Sequence, residues 1–169
     1  NKINNISKKT FMITDKMPNN FRFIGLIATA IPEAKIIHVK RNSAATCWGV
    51  FKQCFTSESN SFSYSLDDTV EYYRLYADLM NFWNKSLSSR IYELDYDLLV
   101  SDQERETKQL IKNLGLGWEE DCLYPEKNTG NVYTASNVQV RKKVYKDSSK
   151  QWEKFKPFLG GLLDNICDH

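Results

Sequence analysis

The sequence predicts an α/β fold, a parallel sheet flanked by helices, and three observations predict it. Short apolar runs recur at Phe11-Met12-Ile13-Thr14, Ile36-Ile37-His38-Val39 and Ile91-Tyr92-Glu93-Leu94-Asp95-Tyr96, with the length and composition of strands. Segments with apolar residues at helical spacing separate them. Strand, helix and strand in that order make a βαβ unit, whose strands run parallel by the crossover rule.

Residues Asn1 to Thr10 are polar and aperiodic and read as a linker or frayed end, which leaves 11–169 as the domain. Phe11 to Thr14 suits a buried strand, and Lys16 to Asn20, with Pro18, Asn19 and Asn20, has turn chemistry. Phe23, Ile24, Ile27 and Ala28 set a helix over Phe21 to Ala30 that stops before Pro32. After the strand from Lys35 to Lys40, Asn42 or Ser43 can cap a helix running to about Phe55. Thr56 to Ser65 is rich in Ser and Asn and reads as a loop, and Ser65 with Asp68 has the shape of a capping box. The next helix, to about Leu87, carries Val70, Tyr73, Tyr76, Leu79, Met80 and Trp83; Tyr72, Leu75 and Phe82 widen the stripe enough for two neighbours. The strand from Ile91 ends at Tyr96-Asp97. Ser101 with Glu104 then starts a helix through Thr107, Leu110, Ile111 and Leu114, which Gly115 ends. Tyr124 to Val144 is turn-rich. Ser148 to Phe155 and Pro157 to Ile166 read as two closing helices, the second weakened by Gly160-Gly161.

The 169 residues are enough for one domain, and 26% charged with 41% hydrophobic residues is ordinary for a globular protein. A net charge of +2 does not argue for nucleic-acid binding. Arg141, Lys142, Lys143, Lys146, Lys150, Lys154 and Lys156 do crowd one late segment, for which a solvated helical face is the plain reading. The four cysteines, Cys47, Cys54, Cys122 and Cys167, form no C-x-x-C pair, and His38 and His169 add no metal spacing. Reduced thiols fit a cytoplasmic protein, with Cys47 and Cys54 packed on a helix face. No apolar run approaches the ~20 residues that span a bilayer, so no membrane contact is expected.

With so few histidines a histidine-based hydrolase is disfavoured, and His38, mid-strand, reads as a satisfied core position. There is no G-x-x-x-x-G-K-[ST], and Gly115-Leu116-Gly117 lacks the third glycine of a dinucleotide fingerprint. Ligands of parallel sheets bind outside the carboxyl ends of the strands. Asp15-Lys16 and Lys40-Arg41 therefore fall on the same rim, which suits an anionic, phosphate-bearing ligand.

The run Ile36-Ile37-His38-Val39-Lys40-Arg41-Asn42 with Thr46-Cys47 resembles the 3′-phosphate-binding segment of sulfotransferases that use 3′-phosphoadenosine 5′-phosphosulfate (PAPS). The likeness is closest to bacterial sulfotransferases often joined to tetratricopeptide repeats, and more distant to protein-tyrosine sulfotransferases. Thr14-Asp15-Lys16-Met17-Pro18-Asn19-Asn20-Phe21 is similar to the family's T-D-K-x-P-x-N-F. Tyr92 to Leu99 is similar to its strand ending in Y-E-D-L, and Thr134-Ala135-Ser136-Asn137-Val138-Gln139-Val140-Arg141 to T-A-S-x-x-Q-V-R. Trp152 and Leu159-Gly160 also fit, so the likeness runs from about Phe11 to Leu163.

The resemblance implies a core like that of the P-loop nucleotide-binding folds, and roles at particular residues. Lys16 would stabilise the bridging oxygen or assist the acceptor, Arg41 would hold the 3′-phosphate, and Tyr96 would approach the adenosine. Ser136 and Lys142 would complete the nucleotide site. Each has a plainer reading: a solvated loop lysine, a surface ion pair, packing at a strand end, an ordinary loop. PAPS is implied as co-substrate, with no metal. The family's Ser eight residues after the Arg is Gly49 here, where close backbone approach remains open; its Asp in that segment is Ala45, and its Arg or Lys before the late Trp is Gln151. Nothing before Phe11 resembles the glycine-containing loop that binds the 5′-phosphosulfate. The expectation is thus a sulfotransferase core lacking its first strand and that loop, as a truncated chain or a degenerate relative. Alternatives of other classes are a non-catalytic nucleotide- or partner-binding remnant, and a structural fragment that pairs with a second copy through an open sheet edge. The acceptor, whether carbohydrate, peptide tyrosine or small alcohol, is not readable; Thr56 to Ser65 is the one local candidate for selecting it.

Overall fold

The computed structural model describes residues 12–55, 58–127, 144, 146–164 and 166. Two strands, β1 (Ile36–Lys40) and β2 (Ile91–Asp95), pair in parallel, with Ile36 opposite Ile91 and Lys40 opposite Asp95. Five α-helices accompany them among the described residues: α1 (Ile24–Ala30), α2 (Ser43–Phe51), α3 (Leu66–Ser86), α4 (Tyr96–Ser101) and α5 (Gln103–Leu114). The parallel α/β architecture therefore holds, but β1 finds its partner in β2, across α2 and α3.

The strand expected at Phe11 to Thr14 is not seen in its described part. Phe11 lies outside the described residues, and Met12 to Met17 form no ladder and are exposed. An apolar run becomes a strand only when another strand accepts its backbone bonds, and among the described residues none does so here. The expected turn at Lys16 to Asn20 instead enters a 3-10 helix, Pro18–Phe23, which leads into α1. Proline starts it without loss, since its missing N–H would have had no helical partner.

Later boundaries shift for local reasons. Helix α2 stops at Phe51, not Phe55, with Lys52 as its C-cap and the Lys52 N–H on the Trp48 carbonyl. Cys54 is consequently exposed, whereas Cys47 is buried. The expected capping box at Ser65 is present: its Oγ accepts from Asp68 N at 3.2 Å. The segment Glu58–Tyr64 is a kinked 3-10 run, not an open loop. Its Phe62 stacks on Tyr72 at 3.9 Å between ring centroids, and its Ser63 is buried. Tyr96 and Asp97 open α4 instead of ending the strand, because the Asp95 carboxylate caps the N–H groups of Asp97 and Leu98. Asp102, not Ser101, caps α5, and Gly115 ends that helix at φ 72° as expected. In place of two closing helices there is one 3-10 run, Ser148–Phe158, then turns in which Gly160 and Gly161 take positive φ. Pro157 has no N–H to extend α-helical bonding.

The main core lies between α2, α3 and the closing segment. Ala44, Cys47, Leu66, Val70 and Leu163 are buried there, with Trp48, Phe51, Tyr73, Trp152, Leu159 and Ile166 packed around them. Trp48 stacks on Phe155 at 4.7 Å, and Ser43 Oγ donates to the Ile166 carbonyl at 3.0 Å. This packing brings residues 148–158 back beside the start of α2. Helix α3 meets β1 through Tyr76, which hydrogen-bonds His38, while Ile37 and Val39 remain 36% and 55% exposed.

Candidate functional site

Both strands run the same way, so Lys40-Arg41 and Asp95-Tyr96 leave the sheet side by side on its carboxyl rim. Arg41 lies over the Tyr96 ring, 5.1 Å from guanidinium carbon to centroid. Its Nε donates to Ser149 Oγ at 2.8 Å, and Ser149 in turn donates to Asp97 Oδ1. The other oxygen of Asp97 accepts the backbone N–H of Asn42 at 3.1 Å. Ser148 Oγ and the Tyr96 hydroxyl are 3.4 Å apart. One guanidinium, an aromatic face and two hydroxyls therefore converge where two helices begin.

The local sequence builds this arrangement. Asn42 caps α2 by accepting from Ala45 N at 2.9 Å, which turns the chain sharply after Arg41. Asp95 does the same for α4 and fixes Tyr96 beside it. With Nε engaged, the Nη atoms of Arg41 carry no hydrogen bond to a described residue. Such a fork suits a phosphate oxyanion bidentately, and the Tyr96 face suits a flat ring.

Among the expected site residues, Arg41 and Tyr96 are thus brought together. Lys16 is exposed, in the irregular stretch before Pro18. Among the described residues no hydrogen bond or ion pair joins it to Arg41 or Tyr96; its neighbour Asp15 accepts from Asn20 Nδ2 at 2.6 Å. Gly49 lies in the last turn of α2, and a Cβ there would meet nothing within 4 Å. Ser136 and Lys142, with the whole Thr134 to Arg141 motif, fall outside the described residues. Asp97, Ser148 and Ser149 were missed. The Ser-Ser pair just before Trp152 in a lysine-rich segment was the available signal. In that segment Lys150 pairs with Asp147 at 3.3 Å and Lys156 with Asp164 at 3.1 Å.

A second polar cluster lies beneath the sheet. His38 Nε2 and the Tyr76 hydroxyl share a hydrogen bond, and His38 Nδ1 stands 3.5 Å from Glu93 Oε1. At that separation the Glu93 contact is an electrostatic one, and Nδ1 has no hydrogen bond to a described residue. Glu93 also meets Lys40 Nζ at 3.4 Å and accepts from Asn84 at 2.7 Å. Burial pulls the His38 pKa down against the pull of Glu93, and pushes the Tyr76 phenol up to about 12. Burial also opposes ionisation of Glu93, but Asn84, Lys40 and His38 outweigh it and hold its pKa below the usual value. The space among these side chains is only about 20 Å³, too small for a substrate, so this is a partnered core cluster.

The larger cavity, about 500 Å³, is a half-open cleft on the opposite rim, lined among others by Lys35, Ser88, Arg90 and Asn113. Helices α1, α3 and α5 all end on that side. This cleft lies at the amino ends of the strands, away from Arg41 and Tyr96 at their carboxyl ends. Among the described residues no group of His, Cys, Asp and Glu could hold a metal, and no helix is long and apolar enough to cross a membrane.

A family model described as "Sulfotransferase family" matches residues 2–120. An uncharacterized protein of Aquifex aeolicus (strain VF5) is 32% identical over 154 residues, covering 90% of this chain and 20% of that protein. The chain thus spans about a fifth of the length of the curated relative it matches.

Proposed function

Because the chain belongs to the sulfotransferase family, we propose that its rim site binds the 3′-phosphoadenosine half of PAPS and serves sulfuryl transfer to a hydroxyl or amine acceptor. The observation that carries this reading is the Arg41 guanidinium held over the Tyr96 ring where both parallel strands end. Arg41 would take the 3′-phosphate with its Nη fork, and Tyr96 would pack against the adenosine. Ser136 and Lys142 would close the nucleotide from the late loop. When bound, PAPS would supply the SO₃ group: the acceptor atom bonds sulfur as the S–O bond to phosphate breaks, the bonding pair stays on the departing phosphate oxygen, and the acceptor's proton passes to solvent. Charge then grows on the departing nucleotide, so positioning and cationic stabilisation are what the protein must provide. Lys16 is the residue proposed to meet that charge; it is exposed, and no hydrogen bond or ion pair ties it to another described residue. The acceptor is proposed as a carbohydrate, a peptide tyrosine or a small alcohol.

A non-catalytic, nucleotide-binding role is the second reading, and Gly49 favours it, since the family's hydroxyl is missing there. Calorimetric titration with 3′-phosphoadenosine 5′-phosphate, 5′-AMP and an Arg41→Ala variant tests the shared part of both. Binding that needs the 3′-phosphate and Arg41 is expected. Equal affinity for the two nucleotides, or binding indifferent to Arg41→Ala, would overturn the assignment of this rim. Sulfuryl transfer from PAPS by the chain would then separate the first reading from the second.

A further inference from the structure

We infer that Asp97 and Ser149 are positioning residues that hold Arg41 by its Nε, so that the Nη fork alone is offered to the anion. The inference rests on the reading of Arg41 as the phosphate-holding residue and deepens it. A hydroxyl has one proton and two lone pairs. Ser149 gives its proton to Asp97 Oδ1, which turns a lone pair toward Arg41 Nε at 2.8 Å. Asp97 cannot swing away, because its second oxygen holds the Asn42 N–H at 3.1 Å and its backbone lies in the capped first turn of α4. The relay thus links the end of β1, the start of α4 and the closing segment, 108 residues after Arg41.

The arrangement has an electrostatic consequence. A carboxylate in direct contact with Arg41 would occupy the fork that an oxyanion needs. Interposing a neutral hydroxyl keeps Asp97 one group away, so the guanidinium is oriented by the carboxylate without being neutralised at its binding edge. Stacking over Tyr96 fixes the remaining rotation of the plane. A free arginine would lose rotamer entropy on binding; one held beforehand has less to lose.

The test combines a direct view of Arg41 with nucleotide binding, on the chain as it stands. Solvent exchange of the Arg41 Nε proton, followed by NMR, is expected to be slow in the native chain. Ser149→Ala should speed it by about tenfold or more, and Ser149→Thr, which keeps the hydroxyl, should restore it. Ser149→Gly serves as a second deletion should the Ala variant fold poorly. In parallel, Ser149→Ala should weaken 3′-phosphoadenosine 5′-phosphate by about tenfold while changing 5′-AMP less than about twofold, the selectivity expected of one lost charge-assisted bond. A general loss of structure would weaken both nucleotides together. Unchanged Arg41 exchange in both deletion variants would overturn the inference. So would a native-like preference for the 3′-phosphorylated nucleotide in Ser149→Ala. Failure of the unmodified chain to prefer that nucleotide would instead defeat the functional reading of the rim, and this inference with it.

Discussion

His38 and Glu93 face each other across the parallel pair, Nδ1 to Oε1 at 3.5 Å, with the Tyr76 hydroxyl on the far side of the imidazole. Lys40 and Asn84 complete the shell by holding Glu93. The histidine is kept mostly neutral by burial, whereas the carboxylate is kept ionised by its partners.

That pairing makes stability depend on pH in a definite direction. The unfolded chain takes up a proton at His38 near its ordinary pKa of 6.5, while the folded chain resists until lower pH. Stability is therefore full above about 6.5 and falls as pH drops below it. Glu93, with its pKa depressed, adds stability that is present above about 4.5 and lost as pH falls through its folded value. Urea midpoints measured from pH 8 to pH 5 should decline below about 6.5, and His38→Gln should flatten that decline. A flat native profile would show that His38 is not buried as described.

Gly25 packs its backbone against Trp83. A Cβ at Gly25 would lie 2.7 Å from Trp83 Cη2 and 2.9 Å from Cζ3. The indole cannot simply recede, since its Nε1 donates to the Phe21 carbonyl at 2.9 Å. Gly25→Ala should therefore cost about 1–3 kcal/mol despite the better helix propensity of alanine. Gly117→Ala, where nothing lies within 4 Å, is the control and should be close to neutral in thermal unfolding.

The cysteines should differ sharply in reactivity. Cys47 is 1% exposed and burial pushes its thiol up to about 12, whereas Cys54 is exposed beyond the end of α2. Alkylation of the native protein, mapped by mass spectrometry, should label Cys54 on the order of a hundred times faster than Cys47. Comparable rates would mean that α2 opens readily from the core.

Much of the rim was legible because it depends on local signals. The β1 run, the cap at Asn42 and the carboxyl-end rule placed Arg41, and the β2 run placed Tyr96 near it. Two kinds of fact escaped. The first is competition between a run and its cap: Tyr96 has strand propensity, but Asp95 offers its carboxylate to the next N–H groups and starts a helix. The second is long-range pairing. Ser149 reaches Arg41 and Asp97 over separations of 108 and 52 residues, and no local pattern encodes such a contact. The strand expected at Phe11 to Thr14 is not seen over its described residues, Met12 to Thr14, for a related reason. Apolar character makes a strand possible, and only a neighbour's backbone makes it real.

Gly49 offers the most direct test of the departure that the family resemblance implies for this rim. It lies in the last turn of α2, eight residues after Arg41, and a side chain there would meet nothing within 4 Å. The family resemblance puts a serine hydroxyl at this position, donating to the 3′-phosphate. Gly49→Ser should therefore fit without strain and stabilise the helix by about half a kcal/mol, since glycine is the poorer helix former. If the hydroxyl reaches the phosphate, affinity for 3′-phosphoadenosine 5′-phosphate should rise about three- to tenfold, the range of one added hydrogen bond to a charged group, with 5′-AMP unchanged. A variant that melts no lower than the native chain yet binds both nucleotides as before would separate α2 from the phosphate. The proposed hold on the 3′-phosphate would then come from Arg41 without help from α2.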